Sequence, residues 1–318
     1  MDATRTHNEA ICFCTSAFGE EYILLAKLLA QDIYQFAPGH LFVVVTNKPK
    51  CFQDHPNVIA IKHWCRGVKP YHERRFAIQY ALSLSSTVMY LDADVRICSP
   101  LPQDLKFLPG LTARSCGDMK KHLHKHFEQS YLTPERQRKK RIIESMAHKV
   151  GVDIYSSSLK FINEFLFVIK ADQGRELEFL HLWGELAIYA DTLGLHNNPT
   201  YAMALAAAKS GFAIYHSEMN GLNFFDNRIE KIRASKGIST LENNGKKYFQ
   251  EQEKIENKRR NLIQKVWRFL SKKMSFWYNL LRVRLMSAFV PFMLLDYPRN
   301  YVLKQTSISS GQGLLTHK

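Results

Sequence analysis

The sequence predicts an α/β fold in which a mixed, mostly parallel sheet is flanked by helices. Short apolar segments rich in β-branched residues alternate with longer segments whose apolar residues recur at helical spacing. The chain of 318 residues, 46% of them hydrophobic, is long enough to bury a substantial core. Strand–helix–strand units of this kind form parallel strands joined by right-handed crossovers, and ligands bind at the carboxyl ends of those strands.

The first third of the chain shows the alternation most clearly. Residues 41–46 are a continuous apolar run typical of a buried parallel strand, and residues 20–36 carry apolar side chains at helical spacing. The predicted strands lie at 10–15, 41–46, 58–62, 87–91, 111–115, 161–170 and 212–216, and the predicted helices at 20–36, 73–84, 133–148, 176–192 and 199–210.

Positive charge is concentrated in two segments. The net charge is +15, and residues 231–318 hold 18 Lys and Arg against 5 Asp and Glu, while residues 118–149 hold 9 against 4. The rest of the chain is slightly acidic. This distribution argues against a protein that binds nucleic acid through a uniform positive surface, and it favours anionic partners that bind at the two basic segments. We therefore predict a folded domain at 1–230, with a basic helical insertion at 118–149, and a basic helical tail at 231–318.

The cysteines and the apolar runs bear on cellular location. All six cysteines lie within the first 116 residues, which favours reduced thiols in a cytosolic protein over a disulfide scaffold. Residues 1–9 are polar and leave no room for the apolar stretch of a signal peptide, and no run of eighteen apolar residues occurs. We expect a cytoplasmic protein.

Residues 261–290 of the tail combine an apolar stripe with Lys and Arg. The stripe includes Trp267 and Trp277, two of the chain's four tryptophans. One hypothesis is an ordinary amphipathic helix packed on the domain. The other is a helix lying on anionic lipid headgroups, which would make the protein peripheral on the inner face of the membrane.

An acidic pair, Asp92 and Asp94, follows the predicted strand at 87–91. Two carboxylates separated by one residue at a strand end can bind a shared ion if the chain turns there. They are hard oxygen ligands, which suit Mg²⁺ or Mn²⁺. By itself such a pair is a weak signal, because acidic pairs at strand ends are commonly solvated or cap a turn.

The context of this pair carries a family resemblance. The segments 71–82 and 88–95 resemble the signature of GT-A glycosyltransferases, most nearly the glycogenin and lipopolysaccharide galactosyltransferase type, in which an Arg opens a helix leading to a strand that ends Tyr-Leu-Asp-X-Asp. The resemblance extends loosely over residues 11–216. It implies a GT-A, Rossmann-like fold and metal-dependent transfer of a hexose-type sugar from a nucleotide-sugar, expected to be uridine-linked, to a hydroxyl of a glycan or lipid-linked glycan.

The resemblance also implies where the nucleoside binds. The first strand and the turn after it hold the nucleoside in this family, which assigns Thr15, Ser16 and Tyr22 to the base and ribose.

Basic residues at the start of the predicted helix at 73–84 are the implied contacts to the donor sugar or its phosphates. Arg75 is the preferred match and Arg74 the second, because a guanidinium gives bidentate bonds to phosphate oxygens. Lys69 and Asp92 complete the predicted donor-binding set. The alternative for the two arginines is a solvated helix start.

The family commonly supplies a third metal ligand, a His just after a late strand. His216 occupies that place, so the resemblance implies Asp92, Asp94 and His216 as metal ligands. The alternative for His216 is a structural or surface histidine.

Two further residues match the family's Asn-containing strand. Asn163 and Glu164 are the candidates for sugar contacts, and Glu164 is the candidate for stabilising positive charge on the anomeric carbon. The alternative is a polar pair at a strand edge that solvent satisfies.

Other interpretations stay open at the level of sequence. A nucleotidyltransferase also places carboxylates near a metal, although residues 15–19 are not the glycine-rich phosphate loop that it normally needs. A non-catalytic scaffold at the membrane surface is the second alternative. The three alternating histidines within 121–126 are flanked by lysines, which favours a solvated basic loop over a metal site.

Overall fold

A computed structural model describes residues 11–102, 104–128, 131–237, 243–256 and 261–295. The polar segment 1–9, on which the expectation of no signal peptide rests, and the part of the basic tail beyond residue 295 lie outside the described residues.

The strands and helices of the described residues alternate as predicted over most of the chain. The strands are β1 (Cys12–Ala17), β2 (Phe42–Thr46), β3 (Val58–Lys62), β4 (Thr87–Leu91), β5 (Val95–Ile97), β6 (Gly110–Ala113), β7 (Cys116–Asp118), β8 (Lys160–Ile162), β9 (Leu166–Lys170), β10 (Ile214–His216) and β11 (Phe224–Asp226). The helices are α1 (Glu20–Phe36), α2 (Arg74–Leu82), α3 (Met119–Phe127), α4 (Pro134–Val150), α5 (Arg175–Leu193), α6 (Thr200–Ser210), α7 (Asn227–Ser235), α8 (Asn243–Glu256), α9 (Leu262–Phe289) and α10 (Phe292–Leu295).

The central sheet confirms the predicted fold class. Within the described residues it has seven strands in the order β10-β6-β9-β4-β1-β2-β3. Strand β9 runs antiparallel to both of its neighbours, β4 and β6, and the other pairs are parallel. Strand β4, which leads to the acidic pair, therefore lies at the centre of a mixed, mostly parallel sheet.

Each face of the sheet buries its own core. Successive residues of β1 point to opposite faces, so Cys12 and Cys14 join one core while Phe13 and Ala17 join the other. Helices α2, α5 and α6 cover the first face and α1 covers the second. All six cysteines are free thiols.

Two short antiparallel sheets extend the central one. The predicted strand at 161–170 is divided into β8 and β9, because the Asn163 N–H donates to the carbonyl oxygen of Ser115 at 2.9 Å and β8 pairs with β7. Strand β5, which follows the acidic pair, pairs with β11, and Val95 lies opposite Asp226.

Residues 121–126 form part of a helix, so the expected basic loop was wrong. Met119, Leu123 and Phe127 recur every four residues and are buried, and the Asp118 carboxylate caps the helix by accepting from the Lys121 N–H at 3.0 Å. Burial of this face fixes α3 against the domain.

Residues 243–256 form α8, which docks on the domain. Gln252 is fully buried and its side chain donates to the carbonyl oxygen of Asp94, while Glu251 lies 2.8 Å from Arg96. The beginning of the basic tail therefore packs directly behind the acidic pair.

Helix α9 has a docked half and an exposed half. Leu280 and Val283 are buried together with Val68, and Arg282 Nη2 donates to the carbonyl oxygens of Cys65 and Arg66 at 3.0 and 2.9 Å. The half nearer to Leu262 carries large apolar side chains exposed to solvent. In the part of the chain that the structure describes, no helix has both the length and the apolar character needed to cross a membrane.

Candidate functional site

The acidic pair lies in a tight turn at the carboxyl end of β4. The Asp92 N–H donates to the carbonyl oxygen of Phe165 at 2.9 Å, and the Val95 N–H donates to the carbonyl oxygen of Asp92 at 3.0 Å. These bonds end the pairing with β9 and redirect the chain into β5. Asp92 and Asp94 are both half-buried in the turn, so the sequence-predicted pair lies at the predicted edge of the sheet.

Arg74 joins the acidic pair to the segment before β9. Its Nη2 lies 3.2 Å from Asp92 Oδ1, and its Nη1 donates to the carbonyl oxygen of Glu164 at 2.9 Å. The guanidinium also stands over the ring of Tyr90, 5.2 Å from its centroid. Arg74 is itself buried, so the arginine that opens α2 is a fixed part of the site.

Tyr90 orients the Asp92 carboxylate. The Tyr90 hydroxyl donates to Asp92 Oδ1 at 3.1 Å and lies 3.4 Å from the Ser16 hydroxyl. Ser16, a predicted nucleoside contact, is therefore connected to Asp92 through one side chain.

Arg75 lies away from this cluster, which reverses the preference drawn from the sequence. Its Nη2 donates to the carbonyl oxygen of Leu294 at 2.8 Å, and its guanidinium stacks on Phe76 at 3.8 Å. A Cβ at Gly184 would lie 2.8 Å from Arg75 Nη1, so the missing side chain at that position makes room for the guanidinium. Neighbouring residues on a helix point about 100° apart, and here Arg74 faces the acidic pair while Arg75 anchors α10.

Asp226 is a third carboxylate of the site, and no sequence pattern singles it out. It lies at the end of β11, opposite Val95, and is buried. Its Oδ1 accepts from the Ile229 N–H at 2.8 Å and so caps the start of α7. No motif spacing connects Asp226 with the acidic pair, because only the pairing of β11 with β5 brings them together.

The three carboxylates make the site strongly anionic. Burial, followed by the charges of Asp92 and Asp226, raises the pKa of Asp94 to about 7. Burial also raises the pKa of Asp226, and the charge of Asp92 adds to it. Arg228 stands close enough to oppose both shifts. The negative charge gathered at this site suits the binding of a cation.

The predicted nucleoside residues have different surroundings. The Tyr22 ring is 48% exposed, and its pKa is raised to about 12 by burial of its hydroxyl and then by the charge of Asp94, which places it beside the acidic pair. Thr15 is fully buried, and its predicted contact with the nucleoside stays a prediction. The alternation of β1 directs Thr15 toward the core that contains Phe13 and Ala17, beneath α1.

The remaining donor and sugar candidates are Lys69, Asn163 and Glu164. Lys69 is half-buried and precedes the 3-10 turn Pro70–His72 that leads into α2. Asn163 is exposed, and its side-chain amide donates to the Ser115 hydroxyl at 2.8 Å. Burial raises the pKa of Glu164, while the charge of Arg74 opposes that shift, so the Glu164 carboxylate lies within electrostatic range of the cluster.

His216 is not assembled with the acidic pair. Its side chain is 47% exposed and lies 3.3 Å from Glu218, on the outermost strand of the sheet. Among the described residues, no three His, Cys, Asp or Glu side chains stand close enough together to hold a metal ion. Asp92 and Asp94 therefore share a turn without His216, and the assignment of all three residues as metal ligands stays a prediction.

Two aspartates still fit a divalent cation of the predicted kind. Mg²⁺ is usually bound by one or two carboxylates, with water and substrate phosphates filling the other positions. The raised pKa of Asp94 reflects its burial first and then the negative charges of Asp92 and Asp226, which a bound cation would neutralise.

Comparison with known proteins gives matches among solved structures only. No protein-family model matches the sequence, and no curated protein matches it. The fold is similar to the apo structure of WbbM, a bifunctional glycosyltransferase, with a TM-score of 0.38 and 10% identity over 68% of this chain and 40% of that one. It is also similar to the galactosyltransferase LgtC in complex with donor and acceptor sugar analogues, with a TM-score of 0.38 and 14% identity over 64% of this chain and 72% of that one.

Both of these structures are glycosyltransferases, the class that the sequence resembles. The chain spans less than half of the length of WbbM. At this level of similarity the function has to be argued from the residues of the site.

Proposed function

We propose that this protein transfers a hexose-type sugar from a nucleotide-sugar, with uridine as the base, to a hydroxyl of a glycan or lipid-linked glycan. The observation that carries the proposal is the arrangement at the end of β4, where Asp92 and Asp94 share a turn and Arg74 bridges Asp92 to Glu164. Paired carboxylates beside a fixed guanidinium suit a metal-bound diphosphate.

The chain's own residues divide the work of holding the donor. Asp92 and Asp94 would hold Mn²⁺ or Mg²⁺, which when bound neutralises charge on the departing nucleoside diphosphate. Tyr90 fixes the Asp92 carboxylate by its hydrogen bond at 3.1 Å. Arg74 is buried and already oriented, so it can bind a phosphate oxygen with little loss of side-chain entropy.

Residues on either side of the acidic pair complete the proposed site. Ser16 and the exposed ring of Tyr22 are the proposed nucleoside contacts, and Lys69 is a proposed contact to the donor phosphates. The transition state of glycosyl transfer resembles an oxocarbenium ion, which a nearby carboxylate stabilises. Glu164 is the proposed source of that carboxylate, with Asn163 beside it as a contact to the sugar.

Release of nucleotide from a panel of nucleotide-sugars, with and without Mn²⁺, tests this proposal. We expect release that requires both a suitable UDP-sugar and the metal, and that is lost in Asp94→Asn. Asp54→Asn is the matched control, because Asp54 is an exposed aspartate outside the site. Formation of a nucleotide-sugar and pyrophosphate from a nucleoside triphosphate and a sugar phosphate, tested in parallel, would identify a nucleotidyltransferase. The absence of turnover with every donor would leave a non-catalytic scaffold.

The exposed half of α9 supports a proposed location for the reaction at a membrane surface. Trp267 is 73% exposed and Trp277 is 64% exposed, although both carry large, mostly apolar rings. The exposed apolar residues of this helix are Leu262, Ile263, Val266, Trp267, Phe269, Leu270, Met274, Trp277, Tyr278, Leu281, Leu285 and Phe289.

Basic side chains lie along the same helix. Lys265, Lys272 and Lys273 are exposed within the segment that carries the apolar residues. A helix with exposed Trp and Leu beside lysines suits the interface of a bilayer that contains anionic lipid. We propose peripheral contact with such a membrane, where a lipid-linked acceptor would be concentrated.

A further inference from the structure

A compact group of rings lies next to Glu164, between the basic insertion and α6. The His122 ring stacks on Phe161 with 3.7 Å between ring centroids and an angle of 17° between the planes. Its Nε2 lies 3.1 Å from the Tyr201 hydroxyl, and the His126 ring stands 4.5 Å away. We call His122, His126, Phe161 and Tyr201, together with Lys139, the insertion cluster.

Lys139 supplies a half-buried positive charge to the insertion cluster. Its Nζ lies 5.1 Å from the centroid of the Tyr201 ring and donates to the Asn198 side-chain oxygen at 3.0 Å, which is a neutral partner. Asn198 adopts a φ of +59°, in the left-handed region that asparagine tolerates better than most residues. The local backbone thus presents a neutral acceptor to Lys139.

The electrostatics of the insertion cluster show an excess of positive charge. Burial, followed by the charges of His126, Lys139 and Lys125, lowers the pKa of His122 to about 4. Burial also lowers the pKa of Lys139, although Glu135 and Glu164 oppose the shift. An anion bound here would relieve this mutual repulsion.

The insertion cluster adjoins the proposed reaction centre. Phe161 lies only three residues before Glu164 in the sequence. The charge of Glu164 also contributes to the pKa shifts of Lys139 and Tyr201. The same carboxylate interacts electrostatically with Arg74 and Asp92. Glu164 is therefore within electrostatic range of both the proposed donor site and the insertion cluster, so an acceptor held by the insertion cluster would adjoin the donor.

We infer that the insertion cluster binds the acceptor and that the acceptor is an anionic glycan, bearing a phosphate or a carboxylate near the hydroxyl that receives the sugar. This inference rests on the proposed function. The half-buried ring of Phe161 offers apolar surface to the C–H groups of a sugar, with the buried Tyr201 ring behind it, and Lys139 with His126 and the nearby Lys125 offers donors to an anion. The basic residues of the insertion would thus determine which acceptor binds.

Binding of three small sugars to the full-length protein tests the inference. The probes are glucose 6-phosphate, glucuronate and methyl glucoside, measured by calorimetry with saturating UDP and Mn²⁺ so that the donor site is already filled. We expect at least one anionic probe to bind about tenfold or more tightly than methyl glucoside, which is the range of one charge-assisted contact. The two anionic probes distinguish a phosphate from a carboxylate.

Two variants assign any preference to the insertion cluster. Lys139→Gln is expected to weaken binding of the preferred anionic probe about tenfold and to leave methyl glucoside unchanged. Lys149→Gln is the matched control, because Lys149 lies on the same helix, at its other end, against Tyr189. If Lys139→Gln does not fold, Lys125→Gln, a substitution of an exposed residue on α3, provides a second test of whether the insertion cluster binds the anionic probe.

The outcomes separate this inference from the proposed function. The inference would be overturned if UDP bound tightly but no anionic sugar were preferred. It would also be overturned if Lys139→Gln and Lys125→Gln both retained the preference. Neither result would contradict the proposed donor site. Failure of UDP to bind in the presence of Mn²⁺ would instead count against the proposed function.

Discussion

Arg74 and Asp92 form an ion pair at the carboxyl end of β4, with 3.2 Å between Nη2 and Oδ1. In the absence of a donor this pair lets a buried arginine and a half-buried carboxylate neutralise each other. A metal-bound diphosphate offers Asp92 a cation and Arg74 an anion at the same time. Under the proposed function, the site would exchange this internal ion pair for two contacts to the donor without leaving either charge uncompensated.

The acidic pair gives the first prediction. Asp94→Asn keeps the shape of the side chain and removes a charged metal ligand, so we expect transfer to fall by at least about a hundredfold, as for loss of a major electrostatic contact in an active site. Steady-state rates of sugar transfer at saturating Mn²⁺ measure the effect, with Asp54→Asn as the control. Full activity of Asp94→Asn would remove Asp94 from the metal site.

The same substitution has a predicted effect on stability. The pKa of Asp94 is raised from 3.8 to about 7, so the folded protein holds this proton more tightly than the unfolded chain does. The charged form of Asp94 therefore lowers the free energy of unfolding of the metal-free protein. This loss of stability begins at about pH 4 and reaches its full size above pH 7. Asp94→Asn should therefore have a higher Tm than the wild type at pH 8, by about 2–4 °C for each kcal/mol, and a similar Tm at pH 4. Melting curves in EDTA at the two pH values test it.

The two neighbouring arginines give the second prediction. Arg74→Gln should raise the KM for the donor and lower kcat, because it removes the guanidinium beside Asp92 while the fold is kept. Arg75→Gln should mainly lower the Tm, since Arg75 holds the Leu294 carbonyl and fills the space beside Gly184. Donor kinetics and melting curves of both variants decide the assignment. A larger donor defect in Arg75→Gln than in Arg74→Gln would restore the preference drawn from the sequence.

The different contacts of Arg74 and Arg75 show which features of the site could not be predicted from the sequence. Alternating strands and helices and the pair at the end of a strand could be predicted, because both depend on local patterns. Both arginines are buried at the start of α2, so no amphipathic pattern indicates which one faces Asp92. Asp226 reaches the site through the pairing of β11 with β5, a contact between distant segments that has no local signal.

Metal affinity provides the third prediction, through its dependence on pH. A cation must displace the proton from Asp94, so Mn²⁺ should bind more tightly as the pH rises toward 7 and more weakly below it, by up to about tenfold per pH unit. Asp226→Asn removes a like charge that raises the pKa of Asp94, so the same dependence should move to lower pH. Titration with Mn²⁺ monitored by electron paramagnetic resonance between pH 5.5 and 8 measures both. An unchanged midpoint in Asp226→Asn would exclude Asp226 from the electrostatics of the site.

The last prediction concerns α9. Because one half of this helix packs on the domain, its membrane contact is tested with point substitutions in the other half rather than by truncation. Cutting the chain before α9 would remove Leu280, Val283 and Arg282, which pack on the domain and hold the carbonyl oxygens of Cys65 and Arg66. The double variant Trp267→Ser and Leu270→Ser changes only exposed side chains of the other half. Leu177→Ser is the control, because Leu177 is 53% exposed at the start of α5, away from α9.

We expect the wild-type protein to sediment with vesicles that contain phosphatidylserine, and to be released by high salt, because both apolar insertion and basic side chains contribute to binding. The double variant should lose most of this binding at low salt, since fully burying each large apolar side chain contributes about 1.5–3 kcal/mol. Leu177→Ser should bind like the wild type, and nucleotide release in solution should be unchanged in both variants. Equal sedimentation of the double variant and the wild type would show that the exposed half of α9 serves another partner, because its apolar residues would then contribute nothing at the lipid surface.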